Sequence, residues 1–185
     1  MTAAPLKIRI ESLGVYLPET VLTTEALMDR CRRRPRLDLE AITGIHERRF
    51  ADDGNAPSDL AVPAAEQAIA AAGLDKSDLD MIIFCTLSPD MGFPGSGVFL
   101  QRKLGLCEGP KAKFVPALDI RNQCSGFLYG LSTATSMVRA GAYKHVLVVG
   151  GEVHSHALDL TTRGRMVSCL FGDAAGAVVV SATDE

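Results

Sequence analysis

The stretch ALDIRNQCSGFLYGLSTATSMVRA, from Ala117 to Ala140, carries most of the information about the fold. Its first residues, Ala117 to Ile120, close a strand candidate that starts at Lys113; Pro116 within it predicts an edge or irregular strand. From Ser125 to Ala140 the spacing is helical. Gly126, Gly130, Ser132, Thr133, Ala134, Thr135 and Ser136 alternate with large apolar residues, and Arg139 is the only charge. A helix with no charged face is normally buried all round, and its small residues allow close approach by a partner element. The stretch therefore predicts a strand–turn–helix unit whose helix lies in the middle of an assembly.

The flanking sequence extends this unit into an alternating pattern. Met81 to Thr86 (MIIFCT), His145 to Val149 (HVLVV) and Ala177 to Val180 (AVVV) are continuous apolar runs of strand length. Runs without polar alternation belong to strands buried on both faces. Ile8 to Val15 reads as a further strand. Helices are expected over Thr24 to Arg32 with Thr23 as cap, over Asp59 to Ala72 with Ser58 as cap and Gly73 as stop, and over Ser96 to Leu104. Thr43-Gly44 marks a turn. The class is α/β, a mostly parallel sheet flanked by helices.

Composition excludes several functions. The 185 residues are 47% hydrophobic and 22% charged, ordinary values that argue against disorder or coiled coil. No apolar run reaches the ~18 residues of a membrane span, so no membrane span is expected. The mean hydropathy of +0.16 places apolar surplus in a core or on a surface that a partner covers. A net charge of −3 gives no reason to expect nucleic-acid binding. The basic clusters Arg32-Arg33-Arg34-Pro35-Arg36 and Arg48-Arg49 read first as solvated surface, and second as a site for a phosphate-bearing ligand or an acidic carrier protein. Five cysteines without a C-x-x-C pair, and a Met1–Lys7 segment unlike a secretory signal, predict free thiols and a cytoplasmic setting.

Cys124 stands at the turn between strand and helix. A helix N-terminus presents free N–H groups and partial positive charge, which favours a thiolate nucleophile and an oxyanion beside it. Cys85 and Cys169, by contrast, sit in apolar runs and read as core residues. His154-Ser155-His156 with Glu152 or Asp159 lacks the further ligands of a zinc site, so no metal is expected. Neither a phosphate-binding P-loop nor a dinucleotide-binding glycine pattern occurs.

These residues resemble a known family. Ile120-Arg121-Asn122-Gln123-Cys124-Ser125-Gly126-Phe127 is similar to the active-site cysteine motif of β-ketoacyl-acyl-carrier-protein synthase III. Thr43-Gly44-Ile45-His46-Glu47-Arg48-Arg49 resembles its T-G-I-x-x-R segment, and Phe93-Pro94 its F-P motif. Asp159 to Gly164 with Phe171 to Ala177 resembles its D-x-T-x-R-G … F-G-D-G-A-G-A segment. The order runs through the whole chain.

The resemblance implies a thiolase-like fold, of which residues 1–185 would be the N-terminal half-domain. It implies that Cys124 accepts an acyl group from acyl-CoA or acyl-carrier protein, with no cofactor. A decarboxylating Claisen condensation with malonyl-carrier protein follows, assisted by a His and an Asn. Those two belong to the C-terminal half, expected on another chain or lost by cleavage. Phe93 would reach across a homo-oligomer interface to shape the acyl pocket, and Arg163 would meet a phosphate of the substrate. The family's Trp and Arg that sandwich the CoA adenine are replaced by Asp38 and Ile42, so adenine recognition departs from the pattern. Two other readings remain open: a non-catalytic assembly or regulatory half-subunit, and a same-fold acyltransferase forming an ester, an amide or a hydroxymethylglutaryl-type product.

Overall fold

A computed structural model describes residues 7–110 and 112–183. Its elements in chain order are β1 (Lys7–Tyr16), β2 (Thr20–Thr23), α1 (Thr24–Asp29), α2 (Leu39–Thr43), β3 (Glu47–Phe50), α3 (Pro57–Ala71), β4 (Met81–Cys85), α4 (Ser96–Lys103), β5 (Ala117–Ile120), α5 (Gly126–Arg139), β6 (His145–Glu152), α6 (Arg165–Ser168) and β7 (Ala174–Thr183). Five strands form one sheet in the order β1-β7-β6-β4-β5, and β2 pairs with β3 separately.

The sheet is mixed. β4 runs parallel to both β5 and β6, whereas β7 is antiparallel to β6 and to β1. The apolar run of β7 matches that of a parallel strand because β7 too is covered on both faces, and such burial removes polar alternation whatever the strand direction. β5 lies at one edge, as Pro116 predicts.

Alternate residues of each central strand feed two cores. Ile82, Phe84, Leu147, Val149 and Val179 pack with Leu60, Ala64 and Ala68 of α3 and Leu100 of α4. Ile83, Cys85, Val146, Val148 and Val178 pack with Ala134 and Val138 of α5 on the other face. The sheet is thus the middle of three layers. A third cluster joins Leu27 and Met28 of α1 to Leu39 and Cys169.

Several local expectations are corrected. α5 is buried along Gly126, Gly130, Ala134 and Val138, four residues apart, but not all round: Leu128 is 66% and Tyr129 56% exposed. Gly126, Gly130 and Ala134 admit the sheet, whereas Ser132 and Ser136 face outward; a Cβ on Gly130 would lie 2.5 Å from Cys85 Sγ. Ser58 does not cap α3. The helix starts two residues earlier, at Pro57, and the Asp59 carboxylate accepts the Ala56 N–H at 2.9 Å. Ser58 instead donates its hydroxyl to Asp90. Thr23 caps α1 as expected, accepting from the Ala26 N–H at 3.1 Å, although the helix ends at Asp29. The β2–β3 pairing has no counterpart in the sequence reading.

Candidate active site

The parallel strands β4, β5 and β6 all end at the same edge of the sheet, and antiparallel β7 begins there. Crevices outside the carboxyl ends of strands are the usual ligand sites of α/β sheets. Here that edge holds an open cleft of about 520 Å³. Its walls come from the end of β4 (Cys85, Thr86), the β5–α5 turn (Gln123, Cys124), the end of β6 (Gly150 to Glu152) and the start of β7 (Ala174 to Gly176).

Cys124 occupies a single 3-10 turn, Gln123–Ser125, between β5 and α5. It is exposed and lines the cleft. Gln123 just before it has φ 45°, the only left-handed non-glycine residue among those described. Such a conformation costs of order 1–3 kcal/mol and persists only where its surroundings impose it. The other thiols are placed differently. Cys31, Cys85 and Cys169 are buried, and exposed Cys107 lies in the loop after α4, away from the cleft. Burial, reinforced by the nearby Asp119 charge, pushes the Cys85 thiol up to about 11.

Glycine keeps the cleft floor open. A Cβ on Gly150 would approach the Phe127 ring to 3.2 Å, and one on Gly126 would meet Cys85 Cβ at 3.7 Å. On one side, the Glu152 carboxylate accepts the Leu87 N–H at 2.8 Å, the Ser88 N–H at 3.0 Å, the Ser88 hydroxyl at 2.6 Å and the Thr86 hydroxyl at 3.1 Å. It thereby fixes the backbone that leaves β4 beside Cys124. Asp119 of β5 accepts the Ser96 N–H at 2.6 Å and the Gly97 N–H at 2.8 Å, capping α4 from across the sheet edge.

Of the remaining residues singled out in the sequence, Phe93, Arg163, Asp38, Ile42 and His156 lie outside the cleft. Phe93, joined to Pro94 by a cis peptide, is 88% exposed and lines no part of the cleft. Arg163 is also outside it; its side chain is 94% exposed, with Nε 3.9 Å from Asp159. Asp38 caps α2 by accepting the Ala41 N–H at 3.0 Å, and Ile42 is exposed. His154 lines the cleft with Nε2 3.9 Å from Glu152, whereas His156 faces a separate hollow beside Arg30 and Asp52. Among the described residues, no three His, Cys, Asp or Glu side chains are placed to hold a metal ion. No helix among them is long and apolar enough to cross a membrane.

Two charged residues prove to be structural supports. Arg48 is buried rather than solvated. Its guanidinium donates to the Thr24 hydroxyl at 2.7 Å, the Cys169 carbonyl at 3.0 Å and the Leu22 carbonyl at 3.2 Å. Asp173, also buried, accepts N–H groups of His154 (2.7 Å), Ser155 (2.9 Å) and Ala51 (2.8 Å). The T-G-I segment and the F-G-D segment therefore interlock behind the cleft wall, and a Cβ on Gly172 would strike Arg48 Cβ at 2.9 Å. No local pattern signals these roles, because every partner lies at least 18 residues away from its donor or acceptor.

Comparison with known proteins agrees with this geometry. The family model described as 3-oxoacyl-[acyl-carrier-protein (ACP)] synthase III matches residues 118–185. A β-ketoacyl-[acyl-carrier-protein] synthase III from Laribacter hongkongensis is 42% identical over 177 residues, covering 96% of this chain and 53% of that protein. The crystal structure of 3-oxoacyl-[acyl-carrier-protein] synthase III from Aquifex aeolicus VF5 superposes with TM-score 0.84 at 40% identity, covering 97% of this chain and 55% of that one. The priming β-ketosynthase of the R1128 polyketide pathway superposes with TM-score 0.85 at 29% identity, covering 100% and 53%. The chain spans about half the length of these relatives. With the cysteine turn, the cleft and the thiolase-like layering on the same residues, the chain belongs to the β-ketoacyl-acyl-carrier-protein synthase III family and corresponds to the N-terminal half of its members.

Proposed function

We propose that this chain supplies the nucleophile half of a β-ketoacyl-acyl-carrier-protein synthase III-type acyltransferase. The observation that carries this reading is the position of Cys124, an exposed thiol on a strained turn, in a glycine-floored cleft, one turn before a 14-residue helix. In the proposed reaction the Cys124 sulfur attacks the carbonyl of an acyl-CoA or acyl-carrier-protein thioester. The tetrahedral oxyanion collapses, the donor thiolate leaves and takes up a proton, and the acyl group stays on Cys124 as a thioester. The N-terminal end of α5 favours the negative charge that develops there.

The condensation with malonyl-carrier protein then draws on a His and an Asn from polypeptide beyond these 185 residues. That polypeptide has a surface to cover. Leu128 and Tyr129 of α5 and Ile10, Leu13 and Val15 of β1 are all exposed, and large apolar patches of this kind mark interaction sites. A second copy would meet this one at the free edge of β5, where Phe114, before the strand, is 83% exposed and Phe93, in the loop whose Gly92 carbonyl accepts from Arg121 just after the strand, is 88% exposed. Pairing there would hide an edge strand and give Phe93 a neighbouring acyl site to enter. Arg163, outside the cleft and exposed beside Asp159, is available to a phosphate of the incoming donor. The reducing cytoplasm suits an exposed reactive thiol, which oxidation would inactivate.

Incubation with acetyl-CoA followed by intact-mass and peptide analysis tests the reading. One acyl group is expected on the Cys124 peptide, and Cys124→Ala should abolish it. Acylation that survives this substitution overturns the proposal.

A further inference from the structure

Behind one wall of the Cys124 cleft lies a second hollow of about 250 Å³, lined mainly by apolar residues such as Ala157, Leu158 and Val167, with Asp159 and Ser168 also on its wall. Only His154 and Phe171 line both spaces. Their rings pack against each other with centroids 4.8 Å apart and planes tilted by 56°. This ring pair is the partition between cleft and hollow. It is held from behind: the His154 backbone N–H donates to buried Asp173 at 2.7 Å, and the imidazole Nε2 sits 3.9 Å from Glu152. Much of the rest of the cleft is lined by small residues, including Gly150, Gly151, Gly172 and Gly176. Side-chain bulk at the partition therefore decides how far an apolar chain can extend from Cys124 in this direction.

We propose that His154 is a specificity-determining residue of the Cys124 cleft, which together with Phe171 walls off the mainly apolar hollow and limits how far an acyl chain extends from Cys124 in that direction. The proposal rests on Cys124 as the acyl acceptor, but the wall itself is a matter of space. A chain that has to displace two packed rings is rejected, because close-packed interiors tolerate added volume poorly. Removing the imidazole joins the hollow to the cleft and offers the chain an apolar continuation.

Alkyl methanethiosulfonates from methyl to decyl test the wall without needing acyl transfer. Cys124 sulfur attacks the reagent's sulfenyl sulfur, an alkyl disulfide forms and methanesulfinate leaves. Exposed Cys107, in the loop after α4, serves as the internal reference. In the wild-type chain the Cys124-to-Cys107 labelling ratio is expected to fall about tenfold or more from methyl to decyl, the scale on which pockets discriminate chain length. His154→Ala and Phe171→Ala, which open the wall from either ring, should each flatten that fall; His154→Leu, which keeps it filled, should retain it. An unchanged fall in whichever wall-opening variant folds, or no fall in the wild type, overturns the proposal. A parallel series with acetyl- to decanoyl-CoA separates the two readings. If the thiosulfonates obey the wall while no thioester acylates Cys124, it is acyl transfer that fails and not the partition.

Discussion

Gly130→Ala places one methyl group at the closest approach between α5 and the sheet. Its Cβ would lie 2.5 Å from Cys85 Sγ, 3.1 Å from Val148 Cγ1 and 3.5 Å from Ile83 Cγ2. None of the three neighbours can yield into solvent: Cys85 is 4% exposed, and Val148 and Ile83 are fully buried. Overpacking of this kind costs about 1–3 kcal/mol. Alanine in place of glycine within a helix returns about 1 kcal/mol. The net expectation is a loss of up to about 2 kcal/mol, read as a lower midpoint in urea unfolding followed by circular dichroism. Because the same strand end and the same helix hold the cysteine turn, the displacement should also slow Cys124 labelling. Cys85→Ala removes the sulfur that the methyl strikes. Combined with Gly130→Ala it should give a favourable coupling of about 1 kcal/mol or more in a double-mutant cycle. A gain in stability for Gly130→Ala, or strict additivity with Cys85→Ala, would refute the close-approach argument.

Asp119→Ala removes the carboxylate that accepts the Ser96 and Gly97 amides; a loss of about 1–2 kcal/mol in urea unfolding is expected, on the scale of helix caps. Gln123→Gly relieves the left-handed residue before Cys124. It should keep or raise stability by up to about 1 kcal/mol while slowing Cys124 acylation, because the turn loses its imposed shape; faster acylation would count against strain as a positioning device. The Cys85 thiol is raised from 9.0 to about 11 in the folded chain. The unfolded chain therefore loses that proton first, and stability present below pH 9 falls by roughly 2–3 kcal/mol as pH rises to 11. Cys85→Ala should flatten this part of the wild-type pH–stability profile, and an unaltered profile would show that the thiol is not the group responsible.

The sequence alone determined the α/β class, the buried strands and the turn that carries Cys124. Met81 to Cys85 and His145 to Val149 are apolar at every position because both faces of the sheet are covered, and that pattern is local. Cys124 is legible for a similar reason, since a strand, a turn and a helix rich in small residues adjoin it within two dozen positions. Tertiary structure decided what depends on distant pairings. The antiparallel placement of β7, the burial of Arg48, the Asp173 clasp and the Asp119 cap each join residues between about 20 and 120 positions apart. It also decided that α5 keeps one bare apolar face, and that His154 walls the cleft beside Cys124 rather than joining His156. Periodicity reports which faces of an element are apolar. Which of those faces meet, and what stands between two cavities, follows only once the chain has closed on itself.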